Sequence, residues 1–419
     1  MSNFHAVTRE HCEALDRADG LAFARKRFLL PEGVIYLDGN SLGPLPVATV
    51  ARLDEAVRKE WGGGLIRSWN KAAWVTLPMR VGKAIAGLLG AGSDEIVAAD
   101  STSVNIFKLL AGALALALKQ DNARRVILSE RDNFPTDLYV AQGINAALGR
   151  AYELRLVDGN IEAAFDEQVA IAVITHVDYR TGRMHDMKRL NAIAANSGTR
   201  ILWDLSHSAG AVPVELNSSG AEMAVGCGYK YLNGGPGAPA FLYLARALQD
   251  GFPTPLSGWF GHAAPFDFNP DYVPAPGIGR FQCGTPSVLA MAALDCGLAT
   301  FAEISMADLR RKSLQLSDLF WHLMDTHCGE FGFTCVSPRD HALRGSQLSF
   351  AHDDAYAIMQ AIIDHGVIGD FRQPNLLRFG FTPLYLQHAE IWDAVMCLRD
   401  VMLSGAWKAH RDQQRNQVT

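Results

Sequence analysis

The chain has 419 residues, long enough for one large hydrophobic core and a smaller second one, so two domains are expected. Its 38 lysines and arginines stand against 44 aspartates and glutamates, a formal net charge of −6, and no basic block is present that could follow a phosphate backbone. Nucleic acid is therefore not expected as a partner.

The seven cysteines are scattered, without a CxxC pair or a Cys/His cluster at zinc-ligand spacing. This predicts reduced thiols, no metal site and a cytoplasmic location. The beginning of the chain is charged throughout and lacks the apolar stretch of a signal peptide. No run reaches the roughly 18 uninterrupted apolar residues that indicate a membrane-spanning helix. Neither secretion nor membrane insertion is expected.

Short apolar runs recur from the first quarter of the chain to just past its middle. Unbroken runs of this length, several of them separated by longer segments with helical spacing, predict strands that are buried on both faces of a mostly parallel sheet. A large α/β domain is therefore expected. The runs are 95–100, 125–130, 170–177, 200–204, 223–228 and 238–244.

Two helices and one long loop are also visible in this part of the chain. Segment 103–119 has apolar residues at helical spacing, preceded by serine and threonine as cap candidates, and a second helix start lies within 133–148. Residues 252–287 are rich in proline, glycine and aromatic side chains, which predicts a long functional loop rather than one regular element.

The pattern changes at about residue 305. A charged amphipathic helix is predicted first, followed by half-buried strands with helices between them, which indicates a smaller α+β domain. The expected organisation is an N-terminal segment (1–60) that packs with the small domain, a large domain (61–304) and a small C-terminal domain (305–419). The predicted strands of the small domain are 333–338, 345–352 and 376–385.

One lysine follows a predicted buried strand directly. Lys230 ends the run AVGCGYK and lies between Tyr229 and Tyr231. Lysine is strongly hydrated and is rarely buried unless it is paired or forms a Schiff base. Taken alone, such a residue is more simply interpreted as a structural lysine that caps carbonyl groups. Whether Lys230 is structural or catalytic therefore has to be judged from the residues around it.

An aspartate and a histidine supply the context for this lysine. Asp204 comes directly after a strand-like run, at the carboxyl edge of the predicted sheet, where α/β proteins bind ligands, and His207 follows three residues later. Alone, they could be a helix cap and a solvated histidine. Together with Lys230 they indicate pyridoxal phosphate, whose ring nitrogen needs a carboxylate and whose aldehyde forms an imine with lysine.

The phosphate of such a cofactor also needs a binding site. The stretch DSTSVN precedes and opens the helix 103–119, and the N–H groups of a helix N-terminus, with the hydroxyls of Ser101, Thr102 or Ser103, suit a dianion. Phe134 could stack on the ring, and Asp137 could bond to its edge. Each signal is weak alone, because Ser/Thr caps are common and an aromatic residue before proline usually belongs to the core.

Six blocks of the sequence together resemble kynureninase, a family of fold-type-I pyridoxal phosphate enzymes in the class V aminotransferase-like group, and they look most like its bacterial members. The resemblance extends over nearly the whole chain. The blocks are YLDGNSLGPLP (36–46), NFPTDLY (133–139), WDLSHSAGAVPVEL (203–216), GYKYLNGGPG (228–237), LSGWFGH (256–262) and RFGFTPLY (378–385).

The resemblance implies a fold, a cofactor and a reaction. The fold is a large domain with a mostly parallel seven-stranded sheet plus a smaller α+β domain, and the cofactor is pyridoxal 5′-phosphate. The reaction is hydrolysis of L-kynurenine to anthranilate and L-alanine in tryptophan catabolism and NAD biosynthesis, with 3-hydroxykynurenine hydrolysis as a side activity. No metal is implied.

The resemblance also implies roles for residues at matching positions. Lys230 matches the Schiff-base lysine, Asp204 the partner of the pyridine nitrogen, and Tyr229 a residue that reaches the phosphate and is our candidate for a proton relay. Further cofactor contacts are implied for Thr102, Ser103, Phe134, Pro135, Thr136, Asp137, Thr175 and His207.

Substrate and subunit contacts are implied as well. Arg378 matches the arginine that clamps the substrate α-carboxylate, a role suited to its planar fork, although a sheet-edge ion pair would otherwise be the favoured interpretation. Trp259 and Thr285 match positions that reach the phosphate of a neighbouring subunit, which implies a homodimer with shared active sites. Trp69 and Gly284 are expected near the substrate ring. Animal enzymes resemble one another in carrying asparagine at position 285, where this chain has threonine. The combination of Thr285 with Trp69 resembles bacterial enzymes that favour kynurenine over its 3-hydroxy derivative.

Three rival functions and one open assignment remain at this stage. A cysteine desulfurase or selenocysteine lyase would need a reactive cysteine on a mobile loop, whereas Cys335 lies in a predicted strand. A class V aminotransferase would need an α-keto acid. A cofactor-binding regulator would carry a DNA-binding module, of which the sequence shows no sign. Asn40 and Ser41 belong either to a tight turn or to the substrate site.

Overall fold

The structure is a computed structural model that describes residues 7–120 and 123–415. The strands are β1 (Phe28–Leu29), β2 (Ile35–Tyr36), β3 (Leu45–Pro46), β4 (Ile96–Ala98), β5 (Val126–Glu130), β6 (Glu153–Val157), β7 (Val169–Thr175), β8 (Arg200–Asp204), β9 (Met223–Gly226), β10 (Phe241–Leu244), β11 (Thr334–Cys335), β12 (Gln347–Ala351), β13 (Val367–Ile368), β14 (Asp370–Arg372) and β15 (Leu376–Gly380). The α-helices are α1 (Arg9–Arg17), α2 (Val47–Glu55), α3 (Ser68–Lys71), α4 (Leu77–Leu88), α5 (Thr102–Gln120), α6 (Pro135–Ala147), α7 (Met187–Asn196), α8 (Leu216–Ser219), α9 (Arg246–Gln249), α10 (Val288–Ala299), α11 (Met306–His327), α12 (Ala355–Asp364) and α13 (His388–Ser404).

The central sheet has seven strands in the order β4-β10-β9-β8-β7-β5-β6. Neighbours from β9 to β6 are parallel, whereas β10 is antiparallel to both β9 and β4, so that β4 runs in the direction of the parallel strands. The predicted α/β fold with a mostly parallel seven-stranded sheet is therefore confirmed. The sequence did not reveal β6, because this edge strand is largely half-buried and lacks an unbroken apolar run.

Helices cover both faces of this sheet, and alternate side chains of each strand point to opposite faces. In β7, Ile171 and Val173 pack with α5 and α6, while Ala172 and Ile174 belong to the core on the opposite face, which includes α4, α7 and α10. Helix α5 is long and apolar enough, by composition, to cross a membrane. It packs on the sheet, against β7 to β10, so its apolar surface has a partner within the fold.

A second, antiparallel sheet is formed by residues from the last quarter of the chain, in the order β11-β12-β15-β14. The N-terminal part of the chain packs against this region, because β2 pairs in parallel with β13 and α1 contacts α13. Apolar residues of both sheets belong to one continuous core. The domain division at residues 60 and 304 stays a prediction.

The topology brings several chain segments to one edge of the central sheet. Thr175 ends β7 and is the register partner of Asp204, which ends β8. Helix α5 begins four residues after β4, which runs in the same direction as β8, and therefore starts at this edge as well. The carboxyl edge of a parallel sheet is where α/β proteins bind ligands.

Candidate active site

Two buried carboxylates lie at this edge. Asp204 Oδ1 accepts hydrogen bonds from the backbone N–H and the hydroxyl of Ser206, at 2.8 and 2.6 Å. Asp137, in the first turn of α6, is only 1% exposed; its Oδ2 accepts a 3.4 Å bond from Thr175, and its Oδ1 has no partner in the described part of the chain. Burial raises the pKa of Asp204, and burial with repulsion from Asp204 raises the pKa of Asp137 well above its usual range.

The unpaired oxygen of Asp137 indicates that this site is built for a bound group. A buried polar atom without a partner costs about 1–3 kcal/mol, and most such atoms in folded proteins are satisfied. A ligand with a hydrogen-bond donor or a positive charge would remove this cost and would also reduce the repulsion between the two carboxylates.

Lys230 is buried in the loop that follows β9. Its Nζ lies 2.9 Å from His207 Nε2, 5.8 Å from the centre of the Phe134 ring and 5.7 Å from that of Tyr229. Burial is the largest influence on its pKa and lowers it. Gly43 holds the backbone here: its N–H donates to Tyr229 O at 2.8 Å, and a Cβ at position 43 would lie 2.5 Å from Lys230 O.

A hydrogen-bond chain fixes the orientation of His207. Its Nδ1 lies 3.2 Å from Gln347 Oε1, which can only accept, so Nδ1 carries the proton and Nε2 accepts from Lys230. Burial, followed by the charge of Lys230, lowers the pKa of His207 well below its usual range, so the ring is neutral. Gln347 in turn donates to the carbonyl of Tyr179 at 3.0 Å. The sequence indicated β12 but not this contact of Gln347.

The loop before α6 and the start of α5 complete this group of predicted residues. Phe134 N donates to Asn133 Oδ1 at 2.7 Å, and the Phe134 ring lies edge-to-face with Tyr179 at 5.1 Å. Pro135 and Thr136 open α6. Thr102 and Ser103 open α5, and no hydrogen bond from either hydroxyl occurs within residues 7–120 and 123–415. These two hydroxyls therefore remain available to an anion at the helix N-terminus.

Arg378 lies on β15 with its side chain 1% exposed. Nε donates to Asp370 Oδ1 at 2.8 Å, Nη2 contacts Asp370 Oδ2 and donates to Ser41 Oγ at 2.8 Å, and Nη1 donates to Tyr179 O at 2.6 Å. Burial acts to lower the pKa of Arg378, but Asp370 outweighs it and raises that pKa. Arg378 is thus both inside the site and ion-paired, and β15 is an inner strand rather than a sheet edge.

Known proteins resemble this chain over almost all of its length. A family model described as the kynureninase C-terminal domain matches residues 309–398. Kynureninase from Burkholderia mallei is 53% identical over 414 residues, which cover 98% of this chain and 100% of the relative. Kynureninase from Pseudomonas fluorescens is 51% identical over 415 residues, 99% of this chain and 100% of the relative. The chain belongs to the kynureninase family.

Solved structures of other families share the fold of this kynureninase family member. A cysteine desulfurase from Thermococcus onnurineus superposes with a TM-score of 0.77 at 21% identity, covering 91% of this chain and 98% of that one. A variant of C-DES with glycine covalently linked to its PLP cofactor superposes with a TM-score of 0.78 at 16% identity. The match covers 90% of this chain and 99% of that one. At this identity the likeness concerns the fold.

The position of Cys335 does not support the desulfurase alternative, which would need a reactive cysteine on a loop. Cys335 lies in β11, paired with β12, rather than on a loop, and burial raises the pKa of its thiol to about 11. A nucleophilic cysteine needs the opposite shift, because the thiolate is the reactive form. This geometry agrees with membership of the kynureninase family.

Four predicted residues have other surroundings than Lys230 within the single chain. Trp69 packs edge-to-face on Trp74 at 5.6 Å, and Trp259 is 42% exposed within a cluster of aromatic rings. Gly284 and Thr285 are exposed. No hydrogen bond or ring contact joins these four positions to Lys230 or Asp204 among the residues that the structure describes.

Asn40 and Ser41, which the sequence left open, lie in a tight turn and also contact the site. Ser41 N donates to Asp38 O at 2.9 Å, as in a turn, while Ser41 Oγ donates to Asp370 Oδ2 at 2.8 Å. Asn40 is fully buried, with Nδ2 at 3.5 Å from Gln347 Oε1. In this kynureninase family member, the block LDGNSLG therefore packs on both the lysine and the arginine.

Proposed function

We propose that this chain is a pyridoxal phosphate-dependent hydrolase that converts L-kynurenine to anthranilate and L-alanine, with 3-hydroxykynurenine as a side substrate. The main support for this proposal is Lys230, which is buried beside His207 and near Asp204 and whose pKa is lowered by burial. The chain that carries this lysine belongs to the kynureninase family. The protein is proposed to act in the cytoplasm, without nucleic acid or membrane partners.

The side chains present fit pyridoxal phosphate. Lys230 would bind the aldehyde, Asp204 would pair with the ring nitrogen, and Phe134 would cover the ring. The phosphate would be held at the start of α5, where the two hydroxyls have no partner in the chain as described. The full set of proposed cofactor contacts is Thr102, Ser103, Phe134, Pro135, Thr136, Asp137, Thr175, Asp204, His207, Tyr229 and Lys230, with Trp259 and Thr285 from a second subunit.

When bound, this cofactor supplies a protonated ring that withdraws electrons from the substrate α-carbon. Asp204 keeps the ring nitrogen protonated, because a positive charge beside a buried carboxylate stabilises both charges. Lys230 Nζ would take the α-proton of the substrate. Its burial favours the neutral amine that this step requires.

Tyr229 is proposed to relay protons during the hydration of the γ-carbonyl and the cleavage of the Cβ–Cγ bond. Burial raises the pKa of its hydroxyl, so the group is protonated at the outset; it would first donate its proton and then take up another. Arg378 is proposed to bind the α-carboxylate, and Trp69 and Gly284 are proposed to lie near the substrate ring. A preference for kynurenine over 3-hydroxykynurenine is part of this proposal.

A product assay tests the function directly. The protein, loaded with pyridoxal phosphate, is mixed with L-kynurenine without any α-keto acid, and anthranilate fluorescence is followed while alanine is quantified. Equimolar anthranilate and alanine are expected, with slower turnover of 3-hydroxykynurenine. A stoichiometric need for an α-keto acid would instead indicate an aminotransferase, and sulfide release from L-cysteine would indicate a desulfurase.

A homodimer with shared active sites is also proposed. It is supported by a cluster of exposed apolar side chains, in which Trp259 stacks on Phe268, itself 75% exposed, at 6.1 Å. Trp61, Leu65 and Ile66 are exposed too. Large exposed apolar patches usually mark interaction surfaces.

Subunit complementation tests the shared site. A Lys230→Ala chain and a Trp259→Ala/Thr285→Ala chain are expected to be nearly inactive alone. Co-expression is expected to restore about a quarter of the wild-type activity, because half of the dimers are mixed and each has one intact site. As the control, each variant is purified as a homodimer and the two are then mixed under conditions without subunit exchange. This mixture contains no mixed dimers and is expected to stay nearly inactive. No recovery on co-expression would indicate a site built from a single chain.

A further inference from the structure

A second buried lysine, Lys108, lies in the second turn of α5 and has no part in the proposed reaction. It is only 1% exposed, and buried lysines are rare unless their charge is paired. Its Nζ donates to Asp100 Oδ2 at 2.5 Å, to Phe281 O at 2.6 Å and to Asn105 Oδ1 at 3.4 Å. An ammonium group has three donors, so this lysine is fully occupied within the chain and holds other segments in place rather than binding a ligand itself.

The first partner, Asp100, forms the turn that leads from β4 into α5. Its backbone has a φ of 48°, in the left-handed region that residues other than glycine rarely adopt and that persists only where the surroundings hold it. Its carbonyl accepts from Ala240 N at 2.9 Å, and Asn105 Nδ2 donates to Ala99 O at 2.8 Å. Lys108 adds the contact to the carboxylate, so the turn is held by both its main chain and its side chain.

This turn sets the direction of the two hydroxyl groups at the start of α5. Thr102 and Ser103 follow Asp100 directly after Ser101, and neither hydroxyl donates a hydrogen bond among the residues that the structure describes. A change in the backbone angles at Asp100 would turn these hydroxyls away from the phosphate that they are proposed to bind. The contact between Asp100 and Lys108 therefore acts on the phosphate site without touching the phosphate.

The second partner, Phe281, belongs to the long loop 252–287. Its ring is buried and lies 5.8 Å from the ring of Phe252, while its carbonyl accepts from Lys108. Beyond Phe281 the chain leaves the core and reaches Thr285, which is exposed and is proposed to contact the phosphate in a second subunit. One buried ammonium group thus ties together the two segments that are proposed to hold phosphate.

We propose that Lys108 is a positioning residue for the cofactor phosphate. It fixes the turn at Asp100 against the loop at Phe281, so that the two hydroxyls at the start of α5 are arranged before the cofactor binds. This inference rests on the proposed function, which places the phosphate at the start of α5. Loss of Lys108 is therefore expected to weaken binding of the phosphate end of the cofactor and to spare the aldehyde end, which Lys230 binds.

Binding of two forms of the cofactor to the full-length apoprotein tests the inference. Pyridoxal 5′-phosphate and pyridoxal differ in the phosphate alone, and binding of each is followed by its visible spectrum. Lys108→Met nearly keeps the length of the side chain but removes its charge and its donors. In this variant the Kd of pyridoxal 5′-phosphate is expected to rise about tenfold or more, as for lost charged hydrogen bonds. The Kd of pyridoxal is expected to stay within about twofold of the wild-type value.

Three further variants sharpen the comparison. Lys119→Met removes an exposed lysine from the last turn of the same helix and is the matched control, with both Kd values unchanged. Asp100→Ala breaks the contact from its partly exposed end, so it carries the test if Lys108→Met does not fold, and a rise of about threefold or more in the Kd of pyridoxal 5′-phosphate is expected. Asp100→Asn keeps an acceptor for Lys108 and tolerates the left-handed backbone, so most of the affinity is expected to return.

Asp100→Ala also separates position from charge. If Lys108 acted on the phosphate through its charge alone, removal of the opposing carboxylate would strengthen phosphate binding. Weaker binding of pyridoxal 5′-phosphate in both Lys108→Met and Asp100→Ala supports a positional role, whereas tighter binding in Asp100→Ala overturns it.

The outcomes separate this inference from the proposed function. An unchanged Kd of pyridoxal 5′-phosphate in Lys108→Met overturns the role of Lys108. An equal rise for both ligands, with a lower Tm of the apoprotein, also overturns it, because that is the result expected of a lysine that only stabilises the fold. A selective rise supports the role, whether or not the wild-type protein cleaves kynurenine. Failure of wild-type protein to form anthranilate overturns the hydrolase proposal and leaves the comparison of the two Kd values valid.

Discussion

Lys230→Ala is expected to reduce the turnover of L-kynurenine by about 10³-fold or more, because one amine both binds the cofactor aldehyde and moves the α-proton. The same variant is expected to lose the visible absorption of lysine-bound cofactor. Steady-state anthranilate formation and the spectrum of the cofactor-loaded protein measure the two effects. The structure supports this expectation through the short contact from Nζ to His207 and the burial that lowers the pKa of Lys230.

The control for this variant is Lys83→Ala, which removes an exposed lysine from α4 and is expected to keep both turnover and spectrum. A Lys230→Ala protein that keeps the absorption band, and loses it on borohydride reduction, would place the covalent bond on another lysine.

His207→Ala adds a finer comparison. It removes the acceptor beside Nζ and is expected to lower turnover while the band remains.

Asp204→Asn is expected to lower kcat by about 10²–10⁴-fold, because a neutral amide cannot keep the cofactor ring nitrogen protonated. Asparagine has nearly the same shape as aspartate, and its oxygen can still accept from Ser206. Kinetics with saturating pyridoxal phosphate separate this electronic effect from weaker cofactor binding. Ser206→Ala, which removes only one donor to Asp204, is the comparison and should cost far less. An Asp204→Asn enzyme that keeps more than about a tenth of wild-type kcat would contradict this role.

The same substitution has a predictable effect on stability without cofactor. Because burial raises the pKa of Asp204 in the folded protein, the carboxyl group binds its proton more tightly there than in the unfolded chain. Its contribution to the free energy of unfolding is therefore present below the ordinary pKa of about 4 and is lost as pH rises through the raised value. Asp204→Asn removes this loss, so the variant apoprotein is expected to gain stability relative to wild type as pH rises. Thermal unfolding at about pH 4 and about pH 8 measures the difference, and a variant that loses stability relative to wild type at the higher pH would contradict it.

Short apolar runs were sufficient to predict most of the central sheet. A strand covered by helices on both faces needs an unbroken apolar run, so β4, β5 and β7 to β10 could be found from sequence. The edge strand β6 has no such requirement, because much of its surface faces solvent. The same reasoning predicted Asp204 and Lys230, since each is a charged residue directly after a buried segment and such a position usually needs a chemical explanation.

The sequence by itself thus determined the α/β fold and the polar residues at the strand ends, because these depend on composition and periodicity within short segments. The family resemblance came from six sequence blocks. The tertiary structure decided which distant side chains meet. Ser41 bonds to Arg378 across 337 positions of the chain, and His207 bonds to Gln347 across 140. It also decided that Asp370 pairs with the guanidinium group of Arg378. Local patterns show which residues are buried, but hydrogen bonds between elements depend on packing that brings those elements together.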